Sequence, residues 1–305
     1  MNQKLTPATA ALLVLAPLLW AGNAVVGRII YDLIPPVTLN FLRWTIALAI
    51  LSVPARAIYR KGSGLWLQRK RYLLLGLLGI GLYNALQYMA LHTSTPINVT
   101  LVGASMPIWM LAIGVVFFRT PVHGRQLAGA ALSVLGVLVV LSHGDWGQVL
   151  RLRFVAGDLF MIVATIVWAF YSWLLAQPGD PAAIRENWAG FLTAQVVYGV
   201  GWSALMTAGE WTLTDAKIVW GWPVVLGLLY VSIGPAIVAF RAWGVGVQRV
   251  GPATAAFFAN LMPLFAALLS SAFLGEAPRG YHAVAFALIV GGIVMSSRIR
   301  RPTGP

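Results

Sequence analysis

Ten apolar stretches, each close to the length that carries a helix across a bilayer, take up most of the 305-residue chain. They run over residues 8–31, 36–55, 72–92, 97–118, 125–142, 154–176, 187–208, 219–240, 252–274 and 280–297. About 20 helical residues cross the hydrocarbon core, and a backbone in lipid must satisfy its own hydrogen bonds, so such runs must be helices. Composition agrees: charged residues make up 10% of the chain, against about 25% in soluble domains. The fold class expected is an all-α integral membrane protein. The first stretch begins like a signal peptide, but its apolar run continues through Trp20 to Ile30, so a retained first helix is expected.

The short loops orient the chain. With the N-terminus inside, 15 Lys and Arg residues fall on the cytoplasmic side and five on the other, which places both termini in the cytoplasm. The cluster RAIYRKGSGLWLQRKR at 56–71 decides the matter. These loops account for the net charge of +13. No basic helix with interleaved aromatics appears, so no nucleic-acid partner is expected. With no cysteine, disulfide and thiolate chemistry are excluded.

Residues 106–118, MPIWMLAIGVVFF, align without a gap on 262–274, MPLFAALLSSAFL. The same shift of 156 sets LGVLVV at 135–140 against GGIVMS at 291–296. Two repeats follow, over residues 1–143 and 153–300. Each holds five helices, and because five is odd the second enters the membrane inverted, an arrangement that puts a solute site between halves near the midplane.

Polar and aromatic side chains inside the apolar runs mark that site, because lipid selects against them. The stretch GLYNALQYMA at 81–90 puts Tyr83 and Gln87 on one helical stripe, with Asn84 and Tyr88 on the next. Trp20 and Asn23 in the first run, Asn98, Ser105 and Trp109 in the fourth, Trp168 and Tyr171 in the sixth, and Phe257 and Asn260 in the ninth are the other candidate cavity residues. Each Trp alone also fits an interfacial anchor or a helix contact; the collection is the signal. Arg43, a few residues into the second run, fits an ion pair with Asp32 or Asp158, contact with solute, or snorkelling to the surface. Pro107, Pro235 and Pro263 are candidate structural or gating positions; Gly81, Pro96 and Gly234 are candidate bending points too.

Other chemistries lack their residues. There is no His/Cys/Asp/Glu grouping with metal-ligand spacing, no phosphate-binding Gly-rich loop with its lysine, and no Ser/His/Asp set, so no metal, cofactor or catalytic activity is expected. Asp158 is the one carboxylate placed inside a run, which leaves uniport and proton coupling both open.

The residues LLWAGNAVVGRII (18–30), PP (35–36) and FLRW (41–44), with GPATAAFFANLMPLFAALLSSAFLGE (251–276), together resemble the ten-helix EamA-type branch of the drug/metabolite transporter superfamily. Its aromatic-rich runs are similar to those of aromatic amino acid exporters. The resemblance implies two inverted five-helix repeats around a central cavity in a bacterial inner membrane, exporting small organic metabolites by alternating access. The chain departs from the pattern at Thr120, which gives Glu276 no acidic counterpart in the first half. The solute expected is a zwitterion or cation with an aromatic group, the other partner being the bilayer, for a protein that works as a monomer. Other amino acids, cysteine-pathway metabolites or organic cations are alternative solutes, and a helical channel is the alternative mechanism.

Overall fold

The computed structural model describes residues 5–94, 99, 102–151, 153–274 and 279–297, and every regular element among them is helical. In chain order these are α1 (Pro7–Ile29), α2 (Pro36–Ser52), α3 (Arg69–Gly76), α4 (Tyr83–Thr93), α5 (Met106–Phe118), α6 (Gly124–Leu141), α7 (Trp146–Leu150) and α8 (Ala156–Ala176). After them come α9 (Ala182–Arg185), α10 (Gly190–Leu213), α11 (Trp222–Val231), α12 (Phe240–Val250), α13 (Pro252–Ala259), α14 (Leu261–Leu274) and α15 (Gly280–Ser297). Among the described residues, seven helical stretches are long and apolar enough to cross a membrane: Pro7–Gly27, Gly124–Leu141, Ala156–Ala176, Gly190–Leu213, Trp222–Val250, Pro252–Leu269 and Gly280–Ser297. The three remaining expected runs coincide with the shorter apolar helices Pro36–Ser52 and Met106–Phe118 and with the α3–α4 stretch.

Two segments are π-helical. Leu77–Leu82 joins α3 to α4, and Ser232–Ala239 joins α11 to α12. The wider turn leaves carbonyls for outside donors. Asn40 of α2 donates its amide to Ile80 O at 3.0 Å, and Trp20 of α1 donates its indole N–H to Pro235 O at 3.3 Å. Pro235 lies within this irregular segment. Pro107 and Pro263 do not. They occupy the first turns of α5 and α14, Pro263 standing inside the crossing stretch Pro252–Leu269 just past the break at Asn260.

One boundary differs from expectation. Residues 241–250, read as a connection, continue the helix from Phe240 to Val250. Phe240, Trp243 and Val247 are buried on one side, while Arg241 and Arg249 are exposed on the other, so the polar residues mark a face and not a loop. The turn comes at Gly251, whose φ of 84° suits glycine.

Helix α10 fastens the start of helix α2. Pro35 gives α2 no side-chain cap, and Glu210 of α10 supplies one. Its carboxylate accepts from Val37 N at 2.9 Å, Thr38 N at 2.8 Å and Thr38 Oγ1 at 2.7 Å. These are the free amides at the positive end of the helix dipole, so Glu210→Ala is expected to lower stability by about 1–2 kcal/mol, read as an earlier unfolding transition in detergent. A second fastening ties α3 to the connection between α8 and α9 and to α9, where the Asp180 carboxylate is wholly buried between Arg71 and Arg185. Arg71 donates to it through Nε at 2.8 Å and Nη2 at 3.1 Å, and Tyr72 donates through its hydroxyl at 3.1 Å.

Helices α6 and α15 pack backbone to backbone. A Cβ at Gly129 would stand 2.8 Å from Gly292 O, and one at Gly292 would stand 2.6 Å from Gly129 O. At Gly136 it would meet Ala285 O at 3.0 Å. Only glycine permits such an approach, as in membrane helix pairs built on small residues.

Candidate functional site

The aromatic residues of five helices meet around Trp168. From α8 its ring lies 5.0 Å from Tyr171, and α1 brings Trp20 to 5.3 Å, edge-on. Helix α4 contributes Tyr83 at 4.6 Å, and α12 contributes Phe240 at 5.4 Å and Trp243 at 5.8 Å. Trp44 of α2 extends the group through Phe240, at 4.8 Å. Such tilted and edge-to-face pairs add about 0.5–1.5 kcal/mol each beyond the area they bury. Trp168, Tyr171, Trp243 and Trp44 are almost fully buried, whereas Trp20 and Tyr83 are partly accessible. Both of these pack against buried rings, so the group combines sealed side chains with two rings that keep some accessible surface.

Hydrogen bonds fix several of these rings. Trp243 donates to Ser172 Oγ at 3.2 Å, and Tyr171 donates to Gln195 Oε1 at 2.9 Å. Gln195 is held in turn by Phe191 O at 2.8 Å. Trp168 Nε1, Trp44 Nε1, Asn84 Nδ2 and Asn40 Oδ1 are buried without a hydrogen-bond partner among the described residues. A buried polar atom left unpaired costs about 1–3 kcal/mol. The wall beside α2, α4 and α8 therefore carries donors and an acceptor in excess of what the protein uses here.

The other expected residues divide between this group and the packing around it. Asn23 accepts from Arg43 Nη1 at 3.4 Å, joining α1 to α2. Arg43 is 1% exposed, with its guanidinium 5.2 Å from the Trp44 ring, so it is held inside and does not snorkel. Asp158, one of the partners considered for Arg43, accepts from Val155 N at 2.8 Å and from the Ser94 hydroxyl. Gln87 is partly buried one turn beyond Tyr83. Trp109 donates to Ser105 Oγ at 3.1 Å on its own helix. Phe257 is fully buried, and Asn260 donates to Ser133 Oγ at 2.9 Å, tying the start of α14 to α6. Asn98 lies outside the described residues, as does the side chain of Tyr88.

Phe240 and Trp44 complete the ring group, yet neither was expected there. The signal for Phe240 was the spacing of 240, 243 and 247 on one helical face. For Trp44 nothing but its place beside Arg43 pointed inward. Among the described residues no grouping of three His, Cys, Asp or Glu side chains is arranged to hold a metal ion.

Comparison with known proteins adds to this geometry. The model of the EamA-like transporter family matches residues 8–142 and 155–298. An uncharacterized transporter of Archaeoglobus fulgidus is 26% identical over 300 residues, covering 97% of this chain and 98% of its own. The aromatic amino acid exporter YddG of Ancylobacter novellus is 25% identical over 270 residues, covering 88% and 90%. A probable amino-acid metabolite efflux pump of Salmonella typhimurium is 25% identical over 304 residues, covering 95% and 96%. One crystal structure, 23% identical, superposes with a TM-score of 0.70 over 94% of this chain and 96% of that one, a likeness of fold alone.

Proposed function

The chain belongs to the EamA-like transporter family, a multi-pass membrane transporter rather than an enzyme, and we propose that it exports small organic metabolites, aromatic amino acids foremost, by alternating access. The observation that carries this reading is the ring group around Trp168, drawn from five helices and bordered by the accessible Trp20 and Tyr83. Flat rings suit an aromatic side chain, and the partly accessible amide of Gln87, one turn beyond Tyr83, suits the polar head of a zwitterion. The names of the relatives from Ancylobacter novellus and Salmonella typhimurium support amino acids as the solute class. Ring faces also attract flat organic cations, which makes these the second reading.

The proposed architecture is ten spans in two inverted repeats with both termini cytoplasmic. The family model matches twice, over ranges close to 1–143 and 153–300. Under the shift of 156, the π-helical residues 77–82 fall on 233–238, inside the second π segment. The contact of Gly129 with Gly292 maps onto that of Ala285 with Gly136, and both are present. Self-complementary contact of this kind is what a two-fold relation between halves produces. Paired irregular turns at matching places favour alternating access over a fixed channel.

The test is flux into proteoliposomes of phenylalanine, tyrosine, tryptophan, threonine and methyl viologen, with and without a pH gradient. Tyr83→Ala and Gln87→Ala are expected to cut aromatic flux about tenfold while the folded yield holds, the loss of one contacting group being about 1.4 kcal/mol. Aromatic flux no greater than in empty liposomes overturns the solute class. Unchanged flux in both variants removes α4 from the site.

A further inference from the structure

We propose that the loop over residues 53–71 is a docking surface for the headgroups of acidic phospholipids. The loop carries Arg56, Arg60, Lys61, Arg69, Lys70 and Arg71 and no carboxylate of its own. Arg71 is committed to Asp180, which is wholly buried and shared with Arg185. The other five cations are exposed. Across from the loop, where Asn187 donates to Pro54 O at 3.3 Å, Glu186 is the exposed acid beside them. The patch thus keeps a surplus of positive charge that the protein leaves unneutralised.

The loop is built to hold that charge in place. Ala55, Ile58, Leu65 and Tyr72 are wholly buried and anchor it. Gly62 and Gly64 turn it at φ of 90° and 92°. Tyr198 donates to Leu65 O at 3.2 Å, and Gln68 donates to Gly179 O at 2.6 Å. A platform already ordered loses little further entropy when it takes a ligand.

Position and apolar groups separate a lipid from a soluble anion. The loop joins the end of α2 to the start of α3, which in the proposed ten-span architecture are neighbouring spans, so it sits at headgroup level. Trp66 is 54% exposed and Leu67 87% exposed, directly ahead of Arg69 and Lys70. A Trp-Leu pair next to paired cations inserts the first two at the acyl boundary and leaves the others at phosphate depth. A soluble phosphate would use the cations and gain nothing from Trp66 or Leu67. The charge asymmetry of the loops assigns the surface to the cytoplasmic leaflet, where acidic lipids attract such clusters.

Native mass spectrometry of the full chain, titrated with phosphatidylglycerol or phosphatidylcholine, tests this. Phosphatidylglycerol is expected to bind about tenfold more tightly, and the preference is expected to shrink in high salt. Arg60→Gln, Lys61→Gln, Arg69→Gln and Lys70→Gln together are expected to erase it while leaving phosphatidylcholine binding unchanged. Arg151→Gln, on a different loop, is expected to keep it. If the fourfold variant does not fold, Trp66→Ser with Leu67→Ser provides the second measurement, weakening both lipids while the charge remains. Equal binding of the two lipids by the native chain overturns the proposal, as does full competition by soluble glycerol phosphate or retained preference in the fourfold variant.

Discussion

Replacing Asp180 with alanine is expected to destabilise the protein by about 3–5 kcal/mol, the cost of removing one partner from a buried ionic cluster. The carboxylate has no solvent exposure, and Arg71 and Arg185 are only 19% and 26% exposed. Without it, two guanidinium groups face each other with little water to screen them. Arg71 would keep its bonds to Leu174 O at 3.1 Å and Gln177 O at 3.0 Å, so it cannot swing away without losing those as well. Burial already pulls the Arg185 guanidinium below its usual pKa, with Asp180 the main group opposing that fall. Asp180→Asn preserves shape but removes the charge, and it is expected to be nearly as harmful. Arg185→Gln is expected to be milder, because Arg71 continues to neutralise the acid. The informative combination is Asp180→Leu with Arg71→Met and Arg185→Met, which is expected to recover much of the loss, as apolar replacement of whole buried ion clusters does. Thermal unfolding of the detergent-solubilised protein reads all four. An Asp180→Ala protein that unfolds at the native temperature would show that the cluster holds nothing together.

The membrane helices were legible because lipid imposes one demand on every residue of a run, and a single chain records it. The polar side chains of GLYNALQYMA stand out for the same reason, and Tyr83 lies against Trp168. What the sequence could not reveal is convergence. Nothing in the order of residues says that Phe240 stands between Trp44 and Trp168, or that Glu210 caps a helix 173 positions away. Those relations depend on which helices become neighbours, and long-range pairing is not encoded in periodicity. The segment 241–250 was misread for a different reason. The expected runs end at 240 and resume at 252, yet buried small residues let α12 approach α1: a Cβ at Gly246 would meet Leu13 at 2.3 Å. Asn260 stood out because a buried amide inside lipid must find a partner, and Ser133 accepts from it.

Trp20 is expected to separate binding from conformational change, because its ring and its N–H have different neighbours. The ring packs on Trp168, Phe240 and Trp243, while the N–H reaches Pro235 O in the π-helical segment before α12. Pro235 sits inside that segment, and the Phe240 N–H at its end donates to Ile237 O. Trp20→Phe keeps an aromatic face and removes the latch on the irregular turn. A hydrogen bond of this kind is worth about 1 kcal/mol, so the balance between the two faces of the transporter should move by about fivefold. Maximal flux is then expected to change severalfold while the half-saturating concentration of an aromatic solute stays within about a factor of two. Trp20→Ala removes the ring too and is expected to raise that concentration tenfold or more, by about 1.4 kcal/mol or above. If the two variants give the same kinetics, the indole N–H has no separate part to play, and Trp20 acts through its ring alone. If Trp20→Phe instead raises the half-saturating concentration and leaves maximal flux unchanged, the N–H acts on solute affinity and Pro235 is not a point of control.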